Sequence, residues 1–116
     1  RRGENISSLE VESEVLGYDS VAEAAVVGMP SDLGDEDILV AVVPKRGETV
    51  DANALIEYLI PLMPHYMVPR FVRVLKELPK TPTNKLMKFA IRDQGVTADT
   101  WDAEAVGIRL KKTRLS

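Results

Sequence analysis

Two stretches of the chain are almost continuously apolar and rich in valine, EAAVVGM at 23–29 and DILVAVVP at 37–44. The segment between them, PSDLGDE at 30–36, is dense in residues that favour turns. Because neither apolar run alternates with polar residues, we expect both faces of each strand to be covered by other parts of the protein. The pattern therefore predicts an antiparallel hairpin inside a layered fold.

Helically spaced apolar residues lie before and after this hairpin. The first predicted helix has Ser7 or Ser8 as its cap and ends near Gly17. The second covers 51–63, where Pro61 should kink the helix or end it early. The apolar positions are Leu9, Val15 and Leu16 in the first helix and Leu55, Ile56, Leu59, Ile60 and Met63 in the second.

A third strand is predicted at 69–76, where apolar and basic residues alternate imperfectly. The order of elements is then helix, strand, strand, helix, strand, helix. It predicts an α+β fold, in which helices cover a small three-stranded sheet, mixed or antiparallel, after an N-terminal loop or short hairpin. The alternating residues are Phe71, Val72, Val74 and Leu75 against Arg70, Arg73 and Lys76.

A stiff loop and a final helix complete the predicted fold. In ELPKTPTN at 77–84, each proline biases the residue before it to extended backbone. We expect a helix to begin at Lys85, capped by Thr83 or Asn84, and to end before Gly95. Its expected buried positions are Leu86, Phe89 and Ala90.

Composition narrows the class of protein. With 116 residues, 45% hydrophobic positions and a net charge of -3, the chain suits one compact soluble domain. Its basic run, RLKKTR at 109–114, is typical of a solvated tail, so we predict no nucleic-acid binding. No apolar run approaches the roughly 20 residues that span a bilayer, so no transmembrane segment is predicted.

The absence of cysteine and the presence of one histidine limit the chemistry. Neither a disulfide nor a thiolate metal site is possible, and His65 alone cannot form a metal cluster, so we predict no metal ligands. The lack of cysteine fits the cytoplasm, which is the predicted location. The chain starts at Arg1 rather than at a methionine, which fits a fragment of a longer protein.

Lys85 is the first candidate for chemistry. The two prolines before it make its loop stiff, and the expected helix start would add backbone amides and a partial positive charge that favour an anion. The alternative is an ordinary solvated lysine. The second candidate is Gly3, in RRGENISS at 1–8, where a glycine allows a ligand to approach closely or simply serves a loop.

Three segments in order, RRGENISSLEVE at 1–12, MPHYMVPRF at 63–71 and LPKTPTNKLMK at 78–88, resemble the C-terminal domain of the adenylate-forming superfamily. This superfamily includes acyl-CoA synthetases, peptide synthetase adenylation domains and luciferases. The resemblance runs from Arg1 to about Arg92. It implies that 1–95 is such a domain, which closes over a large N-terminal adenylation domain that is absent from this chain.

The resemblance also implies roles for individual residues. Lys85 would act on the carboxylate and the α-phosphate during adenylation, where a fixed cation stabilises developing charge. After the domain rotates, Gly3, Glu4 and Asn5 would line the channel for the thiol of CoA. ATP, Mg²⁺ and CoA are the implied cofactors, bound mainly by the N-terminal domain, and a carboxylic acid is the implied substrate.

The sequence departs from the family's pattern next to the lysine. Asn84 stands where the family usually has glycine, but asparagine tolerates left-handed backbone, so we expect the turn to survive. Glu10 and Glu12 match acidic positions of the first motif and are interpreted as structural, capping or salt-bridging residues.

Among the branches of the superfamily, the first motif favours acyl-CoA ligases. The alternatives are a peptide synthetase adenylation domain and a non-catalytic interaction module. Residues 96–116 are expected to form a partly mobile extension, in which a helical turn places Trp101 and Ala105 against the body.

Overall fold

The computed structural model describes residues 4–30 and 36–108, and for residues 4–7, 30 and 36 it describes the backbone only. Within these residues the helices and strands alternate much as the sequence predicts. The helices are α1 (Glu4–Leu16), α2 (Ala52–Leu59) and α3 (Lys88–Gln94), and the strands are β1 (Val21–Pro30), β2 (Glu36–Pro44), β3 (Phe71–Val74) and β4 (Trp101–Asp102).

The four strands form one mixed sheet in the order β1-β2-β3-β4. β1 and β2 pair antiparallel, with Val26 opposite Val40, and β3 runs parallel to β2, with Phe71 opposite Leu39. β4 pairs antiparallel with β3. The predicted α+β class and the β1–β2 hairpin are confirmed. The prediction of three strands is one short, because a strand of two residues is too brief to show alternation.

Apolar side chains alternate between the two faces of the sheet and build a separate core on each face. On one face, α1 and α2 pack over Val40 and Val42 of β2. On the other, α3 and the loop residue Leu78 cover Leu39 and Ala41. The two cores explain why the valine-rich runs are apolar at nearly every position, as expected of a sheet that is covered on both sides.

The first helix begins earlier than the sequence signals indicate. α1 starts at Glu4, so Ser8 lies inside the helix and is buried, and the prediction of a cap at Ser7 or Ser8 is wrong. The residues that face the core are Val11 and Val15, four apart on one side of the helix. The chain is therefore already helical where an N-terminal loop or hairpin is predicted, and residues 1–3 lie outside the described part.

The second helix follows its prediction closely. The Asp51 side chain accepts a hydrogen bond from the Ala54 amide at 3.2 Å and so caps α2. The helix ends at Leu59 and continues as a 3₁₀ turn over Ile60–Leu62, as expected from Pro61. Its predicted core residues Leu55, Ile56, Leu59 and Met63 are buried.

Five apolar residues at expected core positions are instead exposed. In the helices another residue is buried instead, Val11 and Val15 in α1 and Ile91 in α3, whereas Val74 is the last residue of β3. Local periodicity alone does not decide which of two adjacent faces meets the sheet. The exposed residues are Leu9, Leu16, Val74, Leu86 and Phe89.

A charged cluster around Arg70 fastens β4 to the rest of the sheet. The Arg70 guanidinium donates to both carboxylate oxygens of Asp102, at 2.8 and 2.9 Å, and to Asp37 at 3.1 Å. It lies 3.5 Å from Glu104 and 4.6 Å from the centre of the Phe71 ring. The hydrogen bond from Arg70 lowers the pKa of Asp102, although partial burial opposes this effect.

The segment after α3 therefore packs against the sheet at least as far as residue 108. Trp101 is half-buried and Ala103 is buried, whereas Ala105 is exposed, so the prediction that Ala105 faces the body is wrong. Residues 31–35 of the turn predicted at 30–36 and the basic run at 109–114 lie outside the described residues. The division at residue 95 stays a prediction. None of the helices in the described ranges is long and apolar enough to cross a membrane.

We predict that Asp102→Asn lowers the free energy of unfolding by about 1 kcal/mol at pH 7, because it removes a charge-assisted hydrogen bond. Since the folded-state pKa of Asp102 is depressed, this stability is present above the unfolded pKa of about 3.9 and is lost as the pH falls through the folded value. Urea unfolding at pH 7 and at pH 3 measures both effects.

Asp93→Asn is the matched control for this prediction, because Asp93 is exposed and forms no ion pair with any described residue. An equal loss of stability in the two variants at pH 7, or a loss in Asp102→Asn that persists unchanged at pH 3, contradicts the assigned role of the Arg70–Asp102 pair.

Candidate functional site

The loop that carries Lys85 is a short β-hairpin. Lys80 and Leu86 form an antiparallel bridge, and the Thr81 amide donates to the Lys85 carbonyl at 2.9 Å. α3 begins only at Lys88. The prediction that a helix begins at Lys85 is therefore wrong, and so is the expectation of free helix amides beside its ammonium group.

The tip of the hairpin explains the sequence around the lysine. The Asn84 amide donates to the Thr81 carbonyl at 2.8 Å, which closes a four-residue turn with Pro82 at its second position. Asn84 follows with a φ of 68°, in the left-handed region, as is common in three-residue hairpin loops. The expected tolerance of Asn84 for this backbone is confirmed. Because α3 begins only at Lys88, neither Thr83 nor Asn84 is a helix cap.

The ends of the hairpin are tied to the first strand and the first helix. Lys80 Nζ lies 3.1 Å from a carboxylate oxygen of Glu23 in β1. Lys88 Nζ lies 2.6 Å from a carboxylate oxygen of Glu12 in α1. Lys85, between them, is exposed and forms no ion pair with a carboxylate of the described residues. The loop thus holds two lysines in place and presents the third.

Glu12 joins three elements at the open edge of the sheet. Its carboxylate accepts a hydrogen bond from the Val26 amide at 2.8 Å in addition to its pair with Lys88. Because β1 is an edge strand, this amide has no partner strand, and the carboxylate takes the partner's place. The salt-bridging role predicted for Glu12 is confirmed. Glu10, given the same interpretation, is exposed and has no ion pair within the described residues.

The residues predicted to line a CoA channel are only partly described. Gly3 lies outside the described residues. Glu4 and Asn5 are the first residues of α1, and their backbone alone is described. At 1.5 Å per residue they lie about 12 and 10 Å along the helix axis before Glu12. They therefore sit apart from the Glu12–Lys88 contact, and their side-chain roles stay predictions.

The described residues contain no group of three or more His, Cys, Asp or Glu side chains that could hold a metal ion. The acidic residues around Arg70 have their carboxylates paired with that guanidinium. What the geometry offers is an exposed lysine on a hairpin whose ends are paired with α1 and β1, a cation suited to binding an anion.

Fold and site together define a small α+β domain that displays one lysine on an anchored hairpin. Residues 10–85 match the model of the AMP-binding enzyme C-terminal domain. The chain belongs to this family.

Relatives of known name agree with this assignment. A peroxisomal butyrate–CoA ligase of Arabidopsis thaliana is 45% identical over 94 residues, which are 78% of this chain and 16% of that protein. A peroxisomal trans-cinnamate:CoA ligase of Petunia hybrida is 38% identical over 100 residues, 86% of this chain and 18% of that protein. The chain thus spans less than a fifth of the length of either relative.

Solved structures share the fold. The acyl-CoA synthetase of Brucella canis superimposes with a TM-score of 0.68 at 31% identity, over 75% of this chain and 17% of that one. The amide bond synthetase McbA of Marinactinospora thermotolerans gives a TM-score of 0.71 at 30% identity, over 78% of this chain and 18% of that one.

We predict that Asn84→Val lowers the free energy needed to open the hairpin locally by about 1–2 kcal/mol, because a β-branched residue strongly disfavours the left-handed backbone. Asn84→Gly should leave the hairpin intact, because glycine adopts this conformation freely. Hydrogen exchange of the Thr81 and Met87 amides, which donate to carbonyls across the hairpin, measures local opening. Equal protection in the two variants contradicts the idea that the backbone of Asn84 holds the turn.

Proposed function

We propose that this chain is the C-terminal domain of an ATP-dependent, AMP-forming acyl-CoA synthetase, an acid–thiol ligase. The intact protein would join a carboxylic acid to AMP and then transfer the acyl group to CoA. Support comes from the family assignment and from relatives that are named CoA ligases. Because the chain matches only 16–18% of these relatives, the fragment alone should be inactive, and the activity belongs to the intact protein.

The observation that carries the proposal is the anchored hairpin that presents an exposed Lys85 between two paired lysines. During adenylation a carboxylate oxygen attacks the α-phosphorus of ATP and pyrophosphate leaves, so negative charge concentrates around that phosphorus. A cation held by a stiff loop stabilises this charge without reorganising, which is the main way in which proteins accelerate such reactions. Lys85 is thus the proposed catalytic residue of the first half-reaction.

The remaining parts of the site are assigned to the N-terminal portion of the intact protein. ATP supplies the AMP group, Mg²⁺ would balance phosphate charge, and CoA supplies the accepting thiol. The described residues offer no cluster for a metal ion, so Mg²⁺ is assigned to the N-terminal portion. This domain contributes Lys85 to adenylation and the residues around the start of α1 to thioester formation.

Gly3, Glu4 and Asn5 are the proposed lining of the CoA channel. Two orientations of the domain would be needed, one that delivers Lys85 and one that delivers the start of α1. The proposed location is the cytoplasm, although both relatives described above are named as peroxisomal, so fractionation of cells is the appropriate check.

We predict that Lys85→Ala slows adenylation in the intact protein by roughly a hundredfold or more, because it removes a fixed charge from the transition state. Thioester formation from supplied acyl-adenylate should change little. Pyrophosphate release and CoA consumption measure the two half-reactions, with the carboxylic acid chosen from a panel of short-chain, medium-chain and aromatic acids.

Lys76→Ala is the matched control for the lysine. Lys76 is exposed and has no ion pair with a described residue, so its loss should leave both half-reactions unchanged. If Lys85→Ala reduces the two half-reactions equally, the assignment of Lys85 to adenylation is wrong.

We predict the opposite division for Gly3→Leu, because a bulky side chain would fill the channel through which the thiol approaches. Thioester formation from supplied acyl-adenylate should fall by about tenfold or more, while adenylation is largely retained. The same two assays measure this. A variant that lowers adenylation but not thioester formation would remove Gly3 from the proposed channel.

A further inference from the structure

We propose that Leu86 and Phe89 form an apolar docking surface that seats the Lys85 hairpin against the N-terminal part of the intact protein during adenylation. This inference rests on the proposed function. Leu86 is 38% exposed and Phe89 is 60% exposed, and both lie within four residues of Lys85. They will be called the docking pair.

The docking pair does not belong to the core of the domain. Neither residue is among those that build or flank the two buried clusters. The residue of α3 that is buried is Ile91, two positions after Phe89. At 3.6 residues per turn these two side chains point about 200° apart, so Phe89 projects away from the sheet. The exposure of Phe89 follows from the way in which α3 packs. Its side chain belongs to neither of the two buried clusters.

An exposed phenylalanine beside a functional lysine is well suited to a protein interface. Aromatic side chains bury a large apolar area and often dominate the binding energy of interfaces. Here Leu86 and Phe89 follow, by one and four positions, the one lysine of the hairpin that has no ion pair with a described residue. Burying them would exclude water beside Lys85 and strengthen its interaction with a developing anion.

The occupant that fits this surface is the N-terminal part of the same protein. Among the relatives, matches to this chain cover only 16–21% of the length, so about four fifths of each relative lies outside the matched part. The proposed reaction places ATP and the acid in that larger part. Because both residues lie within four positions of Lys85, they would face that part when the lysine reaches the reacting atoms.

The anchors of the hairpin make such docking effective for positioning. Lys80–Glu23 and Lys88–Glu12 hold the two ends of the hairpin to the edge of the sheet. Contact at the docking pair would then fix the backbone of Lys85 relative to the N-terminal part. Reactions of this kind are sensitive to displacements of about 1 Å, which makes the docking pair positioning residues rather than catalytic ones.

Another exposed apolar residue provides a matched control. Val106 is 51% exposed and lies just after β4. β4 is the edge of the sheet opposite β1, to which the hairpin is tied, so three strand spacings of roughly 14 Å in total separate the two edges. Val106 shares the exposure of the docking pair but not its place beside Lys85.

The test uses the intact protein with Phe89→Gln, the double variant Phe89→Gln with Leu86→Gln, the conservative Phe89→Leu and the control Val106→Gln. Glutamine removes apolar contact without adding a charge near Lys85. Adenylation should fall about tenfold or more in Phe89→Gln and in the double glutamine variant. Phe89→Leu should retain most of the activity, and Val106→Gln should match the wild type.

Two further readouts separate docking from a structural role. Thioester formation from supplied acyl-adenylate and the thermal midpoint should both change little in Phe89→Gln, because the side chain is exposed in this domain. A loss of both half-reactions together with a lower midpoint would overturn the inference and assign Phe89 to folding. Unchanged adenylation in Phe89→Gln, or an equal loss in Val106→Gln, would overturn it as well.

Lys85→Ala distinguishes failure of this inference from failure of the proposed function. If Lys85→Ala abolishes adenylation and Phe89→Gln does not affect it, only the docking surface is wrong. If Lys85→Ala leaves adenylation intact, the proposed function of the hairpin is wrong, and the docking inference is overturned with it.

Discussion

The arrangement of this domain depends on a single carboxylate at the edge of its sheet. Glu12 of α1 accepts the amide hydrogen of Val26 in β1 and pairs with Lys88 at the start of α3. It therefore connects the helix layer on one face of the sheet with the helix layer on the other. An edge strand that exposes its amides is prone to pair with other chains, and the carboxylate and the two helices prevent this. The side chain of Arg92 adds a longer contact, 3.4 Å, to the Gly28 carbonyl of the same strand.

The hairpin of Lys85 is attached at this edge of the sheet. Its ends are held by Lys80 and Lys88, each paired with an acidic residue of α1 or β1, while its tip is shaped by Pro82 and the left-handed Asn84. A proline restricts the unfolded chain, and a residue that accepts left-handed backbone removes strain from the folded one. The lysine is thus presented by backbone geometry, and no helix terminus assists it.

The opposite edge of the sheet is organised by a cation instead. Arg70 forms ion pairs with Asp37 of β2, with Asp102 of β4 and with Glu104 of the turn that follows. Hydrogen bonds from one planar guanidinium to several carboxylates are directional, so they fix the short β4 strand where few backbone bonds are available. A carboxylate therefore binds the edge strand β1, and a guanidinium binds the opposite edge strand, β4.

Much of the fold could be predicted from local pattern. The valine-rich runs at 23–29 and 37–44 have no polar alternation, which requires a sheet covered on both faces, and the structure has cores on both faces. Pro61 predicts the end of α2, and the helix ends at Leu59. Three motifs in order predict the family to which the chain belongs. The covered strands and the end of α2 follow from period and backbone restriction, which are properties of short segments, whereas the family follows from the resemblance of the three motifs.

The sequence by itself determined the α+β class, the β1–β2 hairpin, the family and the choice of Lys85 as the candidate residue. Only the tertiary structure decided that Lys85 lies in a hairpin, that Phe89 faces outward and that β4 joins the sheet. The physical reason is that these features depend on contacts between residues far apart in the chain, such as Glu12 with Lys88 and Arg70 with Asp102. Local periodicity carries no information about which distant residues will meet, and the packing of Ile91 in the core decides which face of α3 turns inward.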